Sequence, residues 1–211
     1  MSTVKKRVAI FGGTFNPIHN GHLYLVRAFA DLLGVDHVLL MIANQPPHKI
    51  TPDLASNAHR LAMAQQLQKT EPLVRPCDFE LRRCGKSYTY KTLRALCRRN
   101  RDEEYYFLMG ADMFLTIQNW RRPREIFHRA VICTSPRDAQ GYAQLKAHEP
   151  LLQAMGARTV VADFSPPPIS STEVRKRVQR GESINELVPA PIADYIYTHK
   201  LYHDEGSRLS L

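Results

Sequence analysis

Two histidines stand three positions apart near the N-terminus, after a strand-like run and two glycines. The run at residues 8–11 leads into Gly12 and Gly13, and His19 and His22 follow. Adjacent glycines at a strand end let a ligand approach the backbone closely. On the first turn of a helix, a spacing of three points both imidazoles in nearly the same direction, and the free amides there favour phosphate. The pattern predicts two imidazoles that bind the oxygens of one phosphate.

A structural role and zinc binding are the other interpretations of these histidines. A lone histidine is more often a structural residue, because histidine is intermediate in its preference for burial. A zinc site needs a third ligand at a matching spacing, and neither an H-E-x-x-H motif nor a cysteine partner is evident. The dinucleotide pattern G-x-G-x-x-G is absent as well. The strand end, the glycines, a proline turn and the paired histidines occur together, and this coincidence favours phosphate binding.

A second candidate phosphate site follows the prolines at 166–168. Hydroxyl residues at 170–172 can cap a helix that begins at Glu173, and Arg175 lies in its first turns. Taken alone, this segment reads as an ordinary helix cap ahead of a solvated basic face. Its pairing with the first motif favours a second helix N-terminus that faces phosphate.

Short apolar runs alternate with amphipathic segments of helical length. Continuous apolar runs are typical of buried parallel strands, and they occur at residues 8–11, 38–42, 105–109, 130–133 and, more weakly, 159–161. Helices are predicted at 21–33, 57–69, 89–100, 143–155, 173–179 and 190–199. The repeated β-α order predicts an α/β fold with a doubly wound parallel sheet, which binds ligands at the carboxyl ends of its strands. We expect one domain over 1–211, with a small helical C-terminal subdomain at about 169–202.

Composition narrows the class of protein. The chain has 211 residues, 44% of them hydrophobic and 23% charged, which excludes a peptide hormone, a disulfide-stapled toxin and wholesale disorder. Lys and Arg number 29 against 20 Asp and Glu, a formal net charge of +9. Such an excess favours a polyanionic partner: nucleic acid, a membrane surface or a phosphorylated small substrate. Composition does not choose among the three.

The cysteines and the N-terminus indicate a cytoplasmic protein. The four cysteines lack C-x-x-C spacing and the density of a secreted scaffold, so we expect reduced thiols. The N-terminal residues lack the apolar core of a signal peptide, and no stretch reaches the roughly 18 apolar residues that span a bilayer.

The motifs resemble those of a known enzyme superfamily. Residues 12–22, which contain His19-Asn20-Gly21-His22, resemble the H-x-G-H signature of the nucleotidylyltransferases, and residues 169–175 resemble their second signature, I-S-S-T-x-x-R. More narrowly, the chain resembles the bacterial nicotinate mononucleotide adenylyltransferase family. The landmarks of this narrower match are Asn44 with residues 47–49, residues 87–93, and residues 110–112 followed by Trp120. They occur in family order over about residues 8–202, which makes the combination highly specific.

The resemblance implies a Rossmann-like fold and a particular reaction. Members join ATP to nicotinate mononucleotide, release pyrophosphate and form nicotinate adenine dinucleotide in NAD biosynthesis. The nucleophile is an ionised phosphate oxygen, so no general base or nucleophilic side chain is required. Mg²⁺ would be carried by the ATP phosphates, since the sequence shows no acidic cage for it. The expected partners are these two small molecules, with neither nucleic acid nor membrane.

The resemblance also assigns site residues. Catalysis would rest on His19, His22 and Arg175. ATP would be bound by Gly12, Gly13, Thr14, Phe15, His19, His22, Ser171, Thr172 and Arg175. The mononucleotide would be bound by Asn44, His48, Lys49, Tyr88, Thr89, Gly110, Asp112, Trp120 and Arg121. In the family the aromatic residue at Trp120 stacks on the pyridine ring and the aspartate at Asp112 meets a ribose hydroxyl.

Some segments mimic other sites or depart from the family. Residues 85–87 look like the end of a phosphate loop, but Glu80 stands where its first glycine belongs, so that loop is rejected. The basic runs at 98–101 and 121–124 are typical of solvated helix ends rather than a nucleic-acid surface. Residues 134–137 lack the Arg-Pro-Gly usual in the family, and we hypothesise that Arg137 substitutes for the missing arginine.

Alternatives to this function stay open at the level of sequence. The same chemistry could act on nicotinamide mononucleotide or, less favoured, on phosphopantetheine. A different class is a basic nucleic-acid-binding or regulatory protein that retains a nucleotide pocket.

Overall fold

The computed structural model describes residues 5–44, 53–83 and 87–203. Its strands are β1 (Lys6–Gly13), β2 (His37–Ile42), β3 (Val74–Cys77), β4 (Glu103–Gly110), β5 (Ala130–Ser135) and β6 (Arg158–Val161). They form one parallel sheet in the order β3-β2-β1-β4-β5-β6. This is the strand order of doubly wound nucleotide-binding folds. The predicted α/β class with a Rossmann-like parallel sheet is confirmed.

Helices connect the strands. They are α1 (Asn20–Leu33), α2 (Asn57–Thr70), α3 (Thr89–Arg99), α4 (Ala111–Phe114), α5 (Pro123–Phe127), α6 (Ala139–Ala154), α7 (Ser171–Gln179) and α8 (Ala190–Thr198), with a 3-10 helix at Ile117–Asn119. α1 ends at Gly34, whose φ of 58° lies in the left-handed region that glycine adopts without strain. α7 begins after Ser170, whose hydroxyl accepts the amide proton of Glu173, as the predicted cap requires.

β1 is buried on both faces, which is why its apolar residues run continuously rather than alternate. Ala9 and Phe11 pack on the face covered by α1, α2, α7 and α8. Val8 and Ile10 pack on the opposite face, which α3, α5 and α6 cover. The two apolar layers hold the end of β1 in place, and the candidate ligand residues follow directly from it.

The structure differs from the sequence predictions mainly at short elements. β3 was not predicted because it has only four residues and contains Pro76. It lies at the edge of the sheet, where a missing backbone N–H is tolerated. α6 starts four residues earlier than predicted, since Asp138 caps it by accepting the amide proton of Gly141. The short helices between β4 and β5 carry too few residues for a periodic signal.

Two further features concern the cysteines and the length of the described helices. Cys77, Cys97 and Cys133 are free thiols. Within the three described ranges, no helix combines the length and apolar character needed to cross a bilayer.

The sheet topology creates a crevice at its carboxyl edge. β1 pairs with β2 on one side and with β4 on the other. Strand order reverses at this point, and ligands of doubly wound sheets bind there. β1 ends at Gly13, β4 ends at Gly110, and β2 runs out into Ala43 and Asn44. The residues predicted to bind ligand are therefore brought to one edge of the sheet.

Candidate active site

His19 and His22 form a stacked pair at the start of α1. Their ring centroids are 3.6 Å apart and the planes are inclined by 21°. The backbone N–H of His22 donates to His19 Nδ1 at 3.4 Å, and the backbone N–H of His19 donates to His22 Nδ1 at 3.3 Å. Because a backbone N–H can only donate, both Nδ1 atoms are acceptors, and each neutral ring carries its proton on Nε2. The helix cap thus sets the tautomer of two adjacent donors.

Burial keeps both rings neutral at pH 7. It lowers the pKa of His19 to about 4. The pKa of His22 lies well below 6.5, first because of burial and second because of repulsion from a charged His19. Two neutral imidazoles can stack without charge repulsion, and each can donate an Nε2 proton to an anion. A bound phosphate favours the charged form and would raise both pKa values.

The free energy of unfolding is expected to fall as the pH is lowered from 7.5 to 5. In the unfolded chain His19 has its ordinary pKa of 6.5 and binds a proton below that pH, whereas folded His19 has a pKa of about 4. Its contribution is therefore fully present above pH 6.5 and is lost as the pH falls towards 4. At pH 5 the loss from His19 is about 2 kcal/mol.

Urea unfolding at the two pH values measures this loss, and His19→Asn is the control. Asparagine keeps an oxygen that caps the helix but does not titrate in this range. The variant should lose less stability than the wild type between pH 7.5 and 5. An equal loss in both proteins would exclude His19 as the group responsible.

α7 docks its first turns against the loop between β1 and α1. Ser171 Oγ donates to the carbonyl of Pro17 at 2.9 Å, and Arg175 Nη1 donates to the carbonyl of Asn16 at 2.9 Å. Arg175 Nε is buried and has no partner among the described atoms. Thr172 is exposed on the same turn. Arg175 therefore holds an unused donor beside the loop that leads to the paired histidines.

Gly21 allows this docking. A Cβ at position 21 would lie 3.3 Å from the carbonyl oxygen of Pro167 and 3.1 Å from His19 Nδ1. The amide group of Asn20 is tied to the segment after α7, since its backbone N–H donates to the carbonyl of Leu187 at 2.8 Å. The two predicted phosphate motifs, distant in sequence, thus meet at one place.

A cavity of about 790 Å³ opens beside the end of β1. Its volume lies in the range of small-molecule sites. Trp120 lines it, and Phe107 contacts the indole edge-on at a centroid distance of 6.4 Å. The predicted site residues among its lining are Gly12, Gly13, Thr14, Tyr88, Thr89, Asp112, Trp120 and Arg121. The paired histidines, Ser171, Thr172 and Arg175 lie outside this lining, and the backbone at 12–14 joins the two groups.

Basic residues surround one wall of the cavity. The Arg121 guanidinium lies 5.0 Å from the ring centroid of Tyr88, and Lys91 Nζ lies 5.6 Å from the same ring. Arg98 and Arg99 are instead exposed in the last turn of α3, where cations favour the helix dipole. Part of the basic surplus is thus at the cavity and part is a solvated helix end.

Several predicted residues have structural partners. Phe15 is buried and its ring packs edge-on against His22 at 5.2 Å, so only its backbone is free to meet a ligand. The Asn44 side chain accepts from Asn57 Nδ2 at 2.7 Å and donates to the carbonyl of Arg83 at 3.2 Å. Gly110 is the N-cap of α4. His48 and Lys49 lie outside the described residues.

Arg137 lies beside a predicted site residue. Its Nη2 donates to Asp112 Oδ2 at 2.6 Å, and both side chains are largely exposed. The pair bridges the carboxyl ends of β4 and β5. An arginine therefore does reach this edge of the crevice from the segment that departs from the family pattern.

Comparisons with known proteins identify the family of this chain. Residues 10–177 match the family model described as cytidylyltransferase-like. The chain is 35% identical over 201 residues to a protein of Synechococcus sp. (strain JA-3-3Ab) named probable nicotinate-nucleotide adenylyltransferase, covering 95% of this chain and 96% of that one. The chain belongs to the nicotinate-nucleotide adenylyltransferase family. A family member of Clostridium acetobutylicum with the same name is 33% identical over 198 residues, covering 93% and 99% of the two chains.

A solved structure shares the adenylyltransferase fold. The Plasmodium falciparum nicotinic acid mononucleotide adenylyltransferase complexed with NaAD has a TM-score of 0.75 and 20% identity, covering 93% of this chain and 97% of that one. The family resemblance predicted from the motifs is confirmed, and with it the class of enzyme, a nucleotidyltransferase of NAD biosynthesis.

Two charged residues of this adenylyltransferase fold, one partly buried and one fully buried, were missed as functional candidates. Glu80 lines the cavity, and Thr92 Oγ1 donates to its carboxylate at 2.8 Å, while burial raises its pKa. No periodic signal marks Glu80, which precedes an irregular segment. Arg60 is fully buried in α2, and the sequence contains a pattern that indicates its burial. It occupies the first position of an apolar stripe that continues with Met63, Ala64 and Leu67.

Proposed function

We propose that this adenylyltransferase moves the AMP group of Mg²⁺-ATP onto the phosphate of nicotinate mononucleotide. A phosphate oxygen of the mononucleotide attacks the α-phosphorus of ATP in line. The bond from that phosphorus to the bridging oxygen breaks, and pyrophosphate leaves with the electron pair. The products are nicotinate adenine dinucleotide and Mg²⁺-pyrophosphate.

The observation that carries the proposal is the cavity beside the paired imidazoles and Arg175. In-line transfer needs two anionic substrates side by side and donors where charge develops. Gly12, Gly13 and Thr14 lie between the two groups and would bring the α-phosphate to both. We assign ATP to a group of residues formed by His19, His22, Ser171, Thr172 and Arg175. The backbone of Phe15, in the loop between β1 and α1, belongs to this group as well. His22 and His19 would donate their Nε2 protons to the α-phosphate, and Arg175 to the leaving group.

The cavity itself favours a pyridine carboxylate. Trp120 provides a flat apolar surface for the ring. No side chain caps the N-terminus of α3 within the described structure, and Thr89 of that first turn lines the cavity. Free amides at a helix N-terminus attract an anion, and the Arg121 guanidinium adds positive charge. A carboxylate should therefore bind better than a neutral amide.

Metal and ribose contacts complete the proposal. In the described part of the chain no group of three His, Cys, Asp or Glu side chains could hold a metal ion. We propose that Mg²⁺ arrives with the triphosphate as part of the substrate, since it is commonly bound through substrate phosphates. Asp112 would accept from a ribose hydroxyl, with Arg137 holding its carboxylate in place. Asn44, His48, Lys49 and Gly110 are proposed on the mononucleotide side by resemblance alone.

We also propose that the enzyme acts in the cytoplasm as a single domain. The free thiols of Cys77, Cys97 and Cys133 suit a reducing compartment. The C-terminal helices share an apolar cluster with the sheet, since Val174 and Ile196 belong to the same cluster as Ala9.

Turnover with the two pyridine mononucleotides tests the function. Purified protein with ATP and Mg²⁺ should release pyrophosphate with nicotinate mononucleotide, and kcat/KM should exceed that for nicotinamide mononucleotide by about tenfold or more, because only the carboxylate meets the α3 amides as an anion. Pyrophosphate release with neither compound would contradict adenylyl transfer. A preference for the amide would keep the chemistry and overturn the acceptor.

A further inference from the structure

Arg60 is a fully buried cation that lies directly beneath the crevice. Its relative exposure is 0%, and within the described structure it forms no ion pair with a carboxylate. Burying an ionised group without a counter-charge is unfavourable, because the group loses its hydration. Core packing alone would be served as well by the methionine or leucine found elsewhere on this helix face. A buried guanidinium at this place therefore needs another explanation.

The guanidinium uses all five of its N–H donors. Nε donates to the carbonyl of Ala55 at 3.1 Å, and Nη1 donates to the carbonyls of Thr14 at 2.8 Å and Ala43 at 2.7 Å. Nη2 donates to the carbonyl of Asn44 at 3.1 Å and to the side-chain oxygen of Asn57. An arginine offers five donors in a fixed fork, so this set of acceptors matches its capacity in full.

Three of these five acceptors belong to the two segments that flank the crevice, and the other two, Ala55 and Asn57, lie just before and at the start of α2. Thr14 opens the loop between β1 and α1, which carries the paired histidines. Ala43 and Asn44 form the exit of β2. The backbone N–H of Ala43 also donates to the carbonyl of Gly13 at 2.9 Å. In addition, Asn57 Nδ2 donates to the side-chain oxygen of Asn44 at 2.7 Å. Arg60 thus adds side-chain hydrogen bonds to the backbone pairing that already joins the two segments.

We propose that Arg60 is a positioning residue that locks the ATP side and the mononucleotide side of the crevice together. This rests on the function proposed above. Arg60 aligns the backbone at Thr14 with the exit of β2, so that the attacking phosphate and the α-phosphorus meet in line. Its uncompensated charge also adds a permanent positive field beneath two polyanionic substrates.

The test compares Arg60→Lys and Arg60→Met with a control on the same helix face. Lysine keeps the charge but offers three donors on one nitrogen in place of the five donors of the guanidinium fork, and methionine keeps the volume without charge or donors. Met63→Ala is the control, because Met63 is equally buried and one turn away and its methionine side chain offers the two segments no N–H donors. Steady-state kinetics in both substrates and urea unfolding are measured for all variants.

Both Arg60 variants should raise the KM of ATP and of the mononucleotide together and lower kcat, with kcat/KM down about 100-fold. The methionine variant should be the weaker enzyme, because it also lacks the charge. Met63→Ala should lose stability while each KM stays at the wild-type value, since a smaller folded fraction lowers only the apparent kcat. If the Arg60 variants are destabilised like Met63→Ala but keep wild-type KM values, Arg60 is structural and the inference is wrong.

Asn57→Ala keeps the test decisive should both Arg60 variants fail to fold. It removes one acceptor of the fork and the link to Asn44 but leaves Arg60 in place. The KM of the mononucleotide should rise more than that of ATP, and unchanged KM values would overturn the inference. Wild-type turnover is measured first. An inactive wild type would contradict the proposed function, whereas an active wild type with unaffected variants would contradict only the role of Arg60.

Discussion

Replacing His22 by alanine is expected to lower kcat about 1000-fold while the protein remains folded. His22 presents an Nε2 proton because its Nδ1 accepts the backbone N–H of His19. A donor that is already oriented and held neutral by burial stabilises charge on the α-phosphate without reorganisation. Its loss raises the barrier, whereas ATP binding in the ground state depends on several other groups. The effect should therefore fall on kcat more than on the KM of ATP.

A buried histidine elsewhere supplies the control for this prediction. His37 is the first residue of β2, at the amino-terminal ends of the strands and thus opposite the crevice. Burial lowers its pKa as it does for His22. His37→Ala should lose stability but keep kcat within about threefold of the wild type. Pyrophosphate release and thermal unfolding are measured for both variants. A His22→Ala enzyme with the kcat of His37→Ala would remove His22 from the mechanism.

The paired histidines show what sequence patterns can establish. Their spacing predicted adjacent imidazoles, and the rings are stacked. Local geometry was enough, because a spacing of three on a helix turn and a double glycine at a strand end act within one segment. The same holds for the cap at Ser170 and for the long strands, whose apolar runs are continuous.

Individual side-chain contacts between loops that are distant in sequence could not be predicted. The Asn16 side-chain oxygen accepts from Tyr202 Oη at 2.9 Å and from the backbone N–H of Ala55 at 3.0 Å. Neither partner is marked by spacing or composition, since each pairing depends on how the loops fold over the sheet. The contrast between Arg60 and Glu80 is instructive. Arg60 occupies a position of an apolar helical pattern that is visible in the sequence, whereas Glu80 is recognised only because it lines the cavity.

Replacing Arg175 by lysine is expected to lower kcat/KM for ATP about 100-fold and to leave the KM of the mononucleotide unchanged. Among the described residues, only Nη1 of the guanidinium donates to the protein, to the carbonyl of Asn16, and the buried Nε has no partner there. A buried unsatisfied donor is unfavourable by about 1–3 kcal/mol, and a phosphate oxygen that accepts from it offsets that penalty only in the complex. Lysine cannot present two donors in a fork from one position.

The matched control is Arg177→Lys, two residues further along α7, where the side chain pairs with Glu173. It should keep wild-type kinetics because its ion pair is partly exposed and a spacing of two residues places Arg177 on a different face of the helix from Arg175. A third variant, Arg175→Met, tests whether Arg175 instead stabilises the fold. Arg175→Met removes the unsatisfied donor together with one hydrogen bond, so its free energy of unfolding should stay within about 1 kcal/mol of the wild type. If Arg175→Met loses activity but keeps its stability, the Arg175 donor serves the substrate. A large loss of stability in Arg175→Met would show instead that Arg175 stabilises the fold.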